Sequence, residues 1–159
     1  MPVCERVVTT TTRLPRAGEV DGIDYRFISA GEFDKRISED GFLEWATVHG
    51  NRYGSPKESV IEGLSEGKTL ILAVDIQGAK QIREKMREAV TIFIAPPSLK
   101  ELEKRLTSRS TENAGQIAKR LEAAREELEH VDKYDFAIVN ADVNQATGEL
   151  IEIIKSQLN

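Results

Sequence analysis

The spacing of apolar residues changes character between the two halves of the chain. In the second half, compact aliphatic and β-branched runs at Thr69–Val74, Val90–Ile94 and Phe136–Val139 alternate with stretches of helical period. Runs of this kind are typical of buried parallel strands. The intervening pattern predicts helices over 77–87, 99–107, 114–132 and 143–157. Several helix starts are signposted. Ser29–Glu32, Ser55–Glu58 and Ser98–Glu101 each fit a capping box, Pro56 falls at a favoured first helical position, and Gly67 is placed to end the helix begun near it. The first half has shorter elements. A strand-prone run, Val7–Thr12, leads into a turn region marked by Pro15, Gly18 and Gly22. Extended pieces follow at Tyr25–Ile28, Phe42–His49 and Arg52–Tyr53, around one helix near 30–39. Strand–helix alternation with a β-rich insert predicts an α/β sheet carrying a smaller lobe, with the crevice between them as the default ligand site.

Composition narrows the class. With 159 residues, 40% apolar and 31% charged, the chain reads as one ordinary globular domain rather than a disordered, collagenous or disulfide-built one. No internal repeat or linker divides it. Its net charge of −5 argues against a nucleic-acid partner, which needs clustered positive charge. The longest apolar run, Leu70–Val74, is far short of a membrane span, and Met1–Arg6 lacks the apolar stretch of a secretory signal. Cys4 is the only cysteine, so neither an internal disulfide nor a thiolate zinc site can form. The expectation is a cytoplasmic protein without a metal centre.

Four segments carry candidate chemistry. Arg13 and Arg16, held in a loop by Pro15 and Gly18, can present two guanidinium forks to one anion, with the Thr9–Thr12 hydroxyls beside them; the alternative is a solvated basic loop. Glu44 lies within an apolar strand on the face of Phe42, Ala46 and Val48, where a carboxylate needs a partner or a ligand, unless the strand turns it outward. Tyr53 and Ser55 supply hydroxyls nearby, Trp45 reads as core packing, and His49 as a turn residue. Asp75 ends a parallel strand, where ligands bind in such sheets, or it caps the helix that follows. Arg105, Arg109 and Arg120 surround a polar loop, 108–115, which is either a lid closing over phosphates or an exposed helix hairpin.

Together these segments resemble the guanylate kinase family, over nearly the whole chain from Val8 to Leu158. The resemblance rests on Thr-Arg-x-Pro-Arg-x-Gly-Glu-x-Asp-Gly-x-Asp-Tyr at 12–25, Phe-Leu-Glu-Trp-Ala at 42–46, Tyr-Gly-Ser at 53–55, Asp-Ile-Gln-Gly-Ala at 75–79 and Ala-Pro-Pro-Ser at 95–98, in family order. It implies a P-loop-kinase-like parallel sheet flanked by helices, with a small mixed-β lobe for GMP and a short helical lid. GMP phosphate would be held by Arg13, Arg16, Tyr25 and Tyr53, with Glu19 steadying the arginines, and Thr9 stands in the GMP site where the family usually has a serine. Guanine would be read by Glu44, Ser55 and Asp75. Arg105, Arg109 and Arg120 would serve the lid, and Asn140 would help to hold the donor adenine.

The sequence departs from the family pattern on the donor side. Only eight residues precede Thr9, and no G-x-x-x-x-G-K-[ST] loop is among them. Gly63–Thr69 imitates that loop, but it has three residues between its glycines and runs from helix into strand. Ala73 stands where the family has an acid suited to Mg²⁺, and Ser110 replaces a lid glycine. The expectation is therefore a GMP-binding protein with little kinase activity alone, using ATP and Mg²⁺ only if activity is retained. The alternatives are an active kinase truncated here or completed by another chain, and a phosphopeptide-binding module. A single domain is expected, with a GMP lobe over 9–66, core over 67–107 and 133–159, and lid plus following helix over 108–132. A missing central strand would leave sheet edges that the flanking strands could close by pairing directly or, as favoured here, that another chain or a second copy would cover, the Pro2–Val8 segment being the least favoured filler.

Overall fold

A computed structural model describes residues 4–108 and 114–158. They divide into two compact units, Met1–Ala89 and Val90–Asn159. The first unit holds two sheets. Strand β1 (Cys4–Arg6) pairs in parallel with β6 (Thr69–Ile71). A four-stranded mixed sheet is formed by β2 (Thr10–Thr11), β3 (Arg26–Phe27), β4 (Phe42–Val48) and β5 (Asn51–Pro56), in the order β3-β2-β5-β4. Its β2–β3 pair is parallel and its β2–β5 and β4–β5 pairs antiparallel. Helices α1 (Ala30–Ser38), α2 (Lys57–Ser65) and α3 (Ile76–Lys85) complete the unit. The least favoured strand former, the N-terminal segment, thus supplies β6 with its parallel neighbour.

Local chemistry explains most boundaries. Ser29 caps α1, its Oγ accepting from the Glu32 N–H at 3.1 Å. The expected cap at Ser55 does not form. Ser55 is drawn into β5, and Pro56 becomes the N-cap of α2 with no side-chain cap bond. At the far end of α2, Gly67 (φ +73°) donates to the Leu64 carbonyl while Lys68 donates to that of Gly63. This is the paired closure that favours a left-handed glycine after a helix. β4 and β5 are joined by His49 and Gly50, both at positive φ, the geometry of a tight hairpin turn.

Two apolar clusters hold this unit. Val7, Leu43, Val60 and Ile82 are buried together, with Leu70, Leu72 and Val74 packed against them. Phe33 of α1 is fully buried and stacks on Phe42 at 4.4 Å between centroids. Trp45 differs from expectation. It is 38% exposed and meets Phe33 edge-on at 6.4 Å, because it points to the opposite face of β4 from buried Glu44 and Ala46.

In the second unit, β7 (Ile92–Ala95) and β8 (Phe136–Val139) pair in parallel. Helices α4 (Leu99–Ser108), α5 (Ala114–Leu128) and α6 (Val143–Gln157) accompany them. The helix expected to run to 132 stops at Leu128, and a short 3₁₀ turn, Val131–Lys133, leads into β8. Ser98 caps α4 and Asp142 caps α6. The strands were expected to be buried throughout. Instead Phe93 and Ile138 are buried, whereas Ile94 and Val139 face out. Thr91 and Asp135 bind the strand starts together: Thr91 donates from both N–H and Oγ to Asp135 Oδ2, each at 2.7 Å. Among the described residues no helix is long and apolar enough to cross a membrane.

The Phe33–Phe42 stack yields the first prediction. Phe33→Ala should lower stability by about 3–5 kcal/mol, the usual cost of emptying a fully buried aromatic site. Urea unfolding showing a loss below about 1 kcal/mol would mean that the site collapses around the vacancy.

Candidate functional site

The sequence-predicted residues of the first unit form two clusters along one sheet. Tyr53 and Ser55 lie two apart on β5 and therefore on one face. Tyr53 pairs with Thr11 and Ala46 on the neighbouring strands, and Ser55 pairs with Glu44.

The first cluster is cationic. Gly18, at φ +87°, turns the loop so that the Glu19 N–H meets the Arg16 carbonyl, while Glu19 Oε2 accepts from the Arg16 N–H at 2.6 Å. The Arg13 guanidinium closes on both Glu19 oxygens at 2.9 and 2.8 Å and donates to the Leu14 carbonyl at 2.7 Å. It also lies over the Tyr25 ring, 5.2 Å from its centroid, and the Tyr25 and Tyr53 rings meet edge-on at 6.1 Å. The Arg13 hydrogen bond, then the Arg16 N–H, lower the Glu19 carboxyl to about 2. Glu19 in turn holds the Arg13 guanidinium above its ordinary value, with the Tyr53 hydroxyl adding to the effect. Arg16 differs: its side chain is exposed, and its guanidinium makes no hydrogen bond among the described residues. Two of the threonine hydroxyls serve backbone: Thr11 Oγ accepts from the Arg13 N–H and Thr12 Oγ from the Arg52 N–H. Thr9 and Thr10 are buried, and the Thr10 hydroxyl has no hydrogen-bond partner among the described residues.

The second cluster is a buried acid. A register shift in β4 between Phe42 and Glu44 lets Leu43 and Glu44 both turn inward, so the outward-facing alternative is excluded. Glu44 is 3% exposed. Its Oε1 accepts from the Ser55 N–H at 3.0 Å and the Ser55 hydroxyl at 2.6 Å. Its Oε2 takes no hydrogen bond among the described residues and lies against Gly78, where a methyl group would sit 2.5 Å from it. Burial raises the Glu44 carboxyl above its ordinary value; the Ser55 bonds oppose this, and the Asp75 charge reinforces it.

Asp75 fulfils the capping alternative. Its Oδ1 accepts from the Gly78 N–H at 2.9 Å and its Oδ2 from the Gln77 carboxamide at 3.0 Å. The two acids thus converge on Gly78, one through its backbone N–H and the other through the space its missing side chain leaves. Sequence reasoning missed two residues here. Gln81 and Lys85 of α3 bond to the backbone of Trp45 and Leu43. Their spacing from Asp75 and Gly78, every three or four residues along one helix face, was the available signal.

In the second unit, Arg105 and Asn140 are brought together. Arg105 donates to the carbonyls of Asn140 (3.0 Å) and Ala141 (3.1 Å), pinning the turn after β8. Arg120 lies half-buried on α5, and Arg109 lies outside the described residues. Ala73 is exposed, and among the described residues no three His, Cys, Asp or Glu side chains gather to hold a metal ion.

The arrangement can accept paired N–H donors at a dry carboxylate while holding an anion at arginine and tyrosine nearby. Comparison with known proteins agrees with the family motifs. The guanylate kinase family model matches residues 4–157. A guanylate kinase of Caldanaerobacter subterraneus subsp. tengcongensis is 49% identical over 147 residues, covering 92% of this chain and 71% of that protein. One from Clostridium perfringens is 46% identical over 150 residues, covering 94% and 69% respectively. A solved structure, the guanylate kinase of Anaplasma phagocytophilum, superposes with a TM-score of 0.83 at 35% identity, covering 97% of this chain and 76% of that one.

The two carboxylates titrate in opposite senses. Glu19, depressed to about 2, stabilises the fold at neutral pH, and that contribution is lost as pH falls from about 4.5 toward 2. Glu44, raised above about 4.5, contributes stability at low pH that is lost as pH rises through its elevated value. Unfolding curves from pH 7 to 3 should therefore show wild type losing ground to Glu19→Gln and gaining on Glu44→Gln as pH falls. Parallel pH profiles for the three proteins would contradict this assignment.

Proposed function

Because the chain belongs to the guanylate kinase family, whose reaction passes phosphate from ATP to GMP to give ADP and GDP, we propose that its first unit binds GMP selectively. The observation that carries this reading is the half-satisfied buried carboxylate. Glu44 Oε1 is occupied by Ser55 while Oε2 takes no hydrogen bond among the described residues, and Asp75, three positions before the same glycine, is anchored to its N–H. Guanine presents N1–H and a 2-amino group side by side, a donor pair that two acids can accept. Adenine lacks this pair and would leave buried acid groups unmatched, the situation in which sites discriminate most strongly.

For the phosphate we assign Arg16, Arg13, Tyr25 and Tyr53, with Thr9 just before β2 and Glu19 fixing Arg13. Arg13 already spends three N–H groups on Glu19 and Leu14. Arg16 is the uncommitted cation, so it supplies the new charge-assisted bonds. Arg105 and Asn140 are read as shaping the loop on the donor side, with Arg109 and Arg120 as lid arginines.

We further propose that these 159 residues alone transfer little phosphate. They contain no G-x-x-x-x-G-K-[ST] loop to cradle the donor phosphates, and Ala73 brings no carboxylate to the end of β6. One observation favours a second reading, an active kinase completed by further residues or by another chain. The match spans only 71% and 69% of the two relatives.

Calorimetry should show GMP bound in preference to AMP and to a phosphoserine peptide, and equal affinities would overturn the guanine assignment. Arg16→Ala should cost about 1.5–3 kcal/mol of GMP affinity, the weight of hydrogen bonds to a charged group. In a coupled assay with ATP, Mg²⁺ and GMP the chain should show negligible turnover. Rates on the order of 1–100 s⁻¹, usual for kinases, would overturn the low-activity reading and show that the chain needs no completion.

A further inference from the structure

β4 is the edge strand of the lobe sheet, so the side away from β5 should present unpaired N–H and C=O groups. On either side of Glu44 that edge is closed by side chains of α3. Gln81 lays its carboxamide along the backbone of Trp45: Oε1 accepts from the Trp45 N–H at 3.3 Å, and Nε2 donates to the Trp45 carbonyl at 2.7 Å. Only one orientation of the carboxamide satisfies both groups. One helical turn further on, Lys85 Nζ donates to the Leu43 carbonyl. The residues before and after Glu44 are therefore tethered through their backbones to the helix whose first turn carries Asp75 and Gly78. The distance between strand and helix matters because Glu44 Oε2 sits where any side chain on Gly78 would collide with it.

We propose that Gln81 is a positioning residue for guanine selectivity: by acting as the missing neighbour of β4 at Trp45, it fixes Glu44 against Gly78 and sets the spacing of the Glu44 and Asp75 carboxylates. This rests on the GMP reading above. Gln81 touches no part of the nucleotide in that reading. It acts through the Trp45 backbone, and its effect is confined to the base. The phosphate cluster around Arg13 and Glu19 has its own hydrogen bonds, none of them to α3 among the described residues.

The full 159-residue chain tests this with Gln81→Met, which keeps length and flexibility but removes both polar ends. GMP and AMP affinities are measured side by side by calorimetry. The expected result is that GMP affinity falls about tenfold while AMP affinity changes less than about twofold, since a tenfold change corresponds to a lost hydrogen bond's worth of alignment. An unchanged GMP-to-AMP ratio overturns the proposal, whether both affinities hold or both fall together. The latter is what a merely structural role would produce. Should Gln81→Met fail to fold, Gln81→Glu retains the acceptor for the Trp45 N–H but sets a carboxylate against its carbonyl. It must also lower the ratio, and an unchanged ratio there is equally fatal. A wild-type chain without GMP preference overturns the functional reading and this inference together, whereas a preference untouched by either variant overturns only the role of Gln81.

Discussion

The site is organised by the burial of one carboxylate. Glu44 is enclosed to 3% exposure inside an apolar strand, and an acid there is costly unless hydrogen bonds replace its water. Ser55 supplies two of them to a single oxygen. That requirement accounts for features that look unrelated along the chain. Ser55 is taken from the helix cap it would otherwise form, leaving α2 to start at Pro56 without a side-chain cap. The β4 register shifts between Phe42 and Glu44 so that consecutive side chains can turn inward. The first turn of α3 needs glycine at 78, since a methyl group there would press on the carboxylate.

The acid of the arginine loop obeys the opposite logic. Glu19 is only half-buried and is bound to Arg13 through both oxygens, so its proton is held off down to about 2. Its effect is geometric. It fixes a guanidinium above Tyr25, leaving Arg16 as the cation whose charge is unanswered by a hydrogen bond. A neutralised pair beside a free cation suits a small anion without a broad positive surface, so a net charge of −5 is compatible with the phosphate assignment proposed above.

Much of this was legible in the sequence because the signals were local. The Thr12–Tyr25 run, with its proline, glycine and paired arginines, encodes a loop whose Arg13–Glu19 and Arg16–Glu19 bonds span no more than six residues. Ser29, Ser98 and Gly67 act over a single helical turn and form the caps expected of them. What failed to show depended on distant partners. Ser55 fits a capping box equally well, and only the approach of Glu44, eleven positions earlier, decides against it. Cys4–Arg6 has no strand pattern of its own and becomes a strand because Thr69–Ile71 lies beside it. Trp45 reads as core from its size alone, whereas the two-residue alternation of β4 gives the interior to Glu44 and Ala46. Gln81 carries no motif, and its role emerges only once α3 lies along the edge of β4.

Asp75 shows why two readings of one residue need not exclude each other. It is plainly a helix cap, bonded to the Gly78 N–H and to the Gln77 carboxamide. A carboxylate offers about four acceptor positions, so two bonds do not exhaust it. The Gln77 side chain is exposed, and moving its amide to water exchanges one modest hydrogen bond for another. The Gly78 bond can remain throughout, holding Oδ1 in place while Oδ2 turns from Gln77 to an incoming donor. The cap is then what makes the acid useful. It fixes the carboxylate at the start of α3 before any ligand arrives, so the rotamer entropy of ordering it is lost on folding rather than on binding.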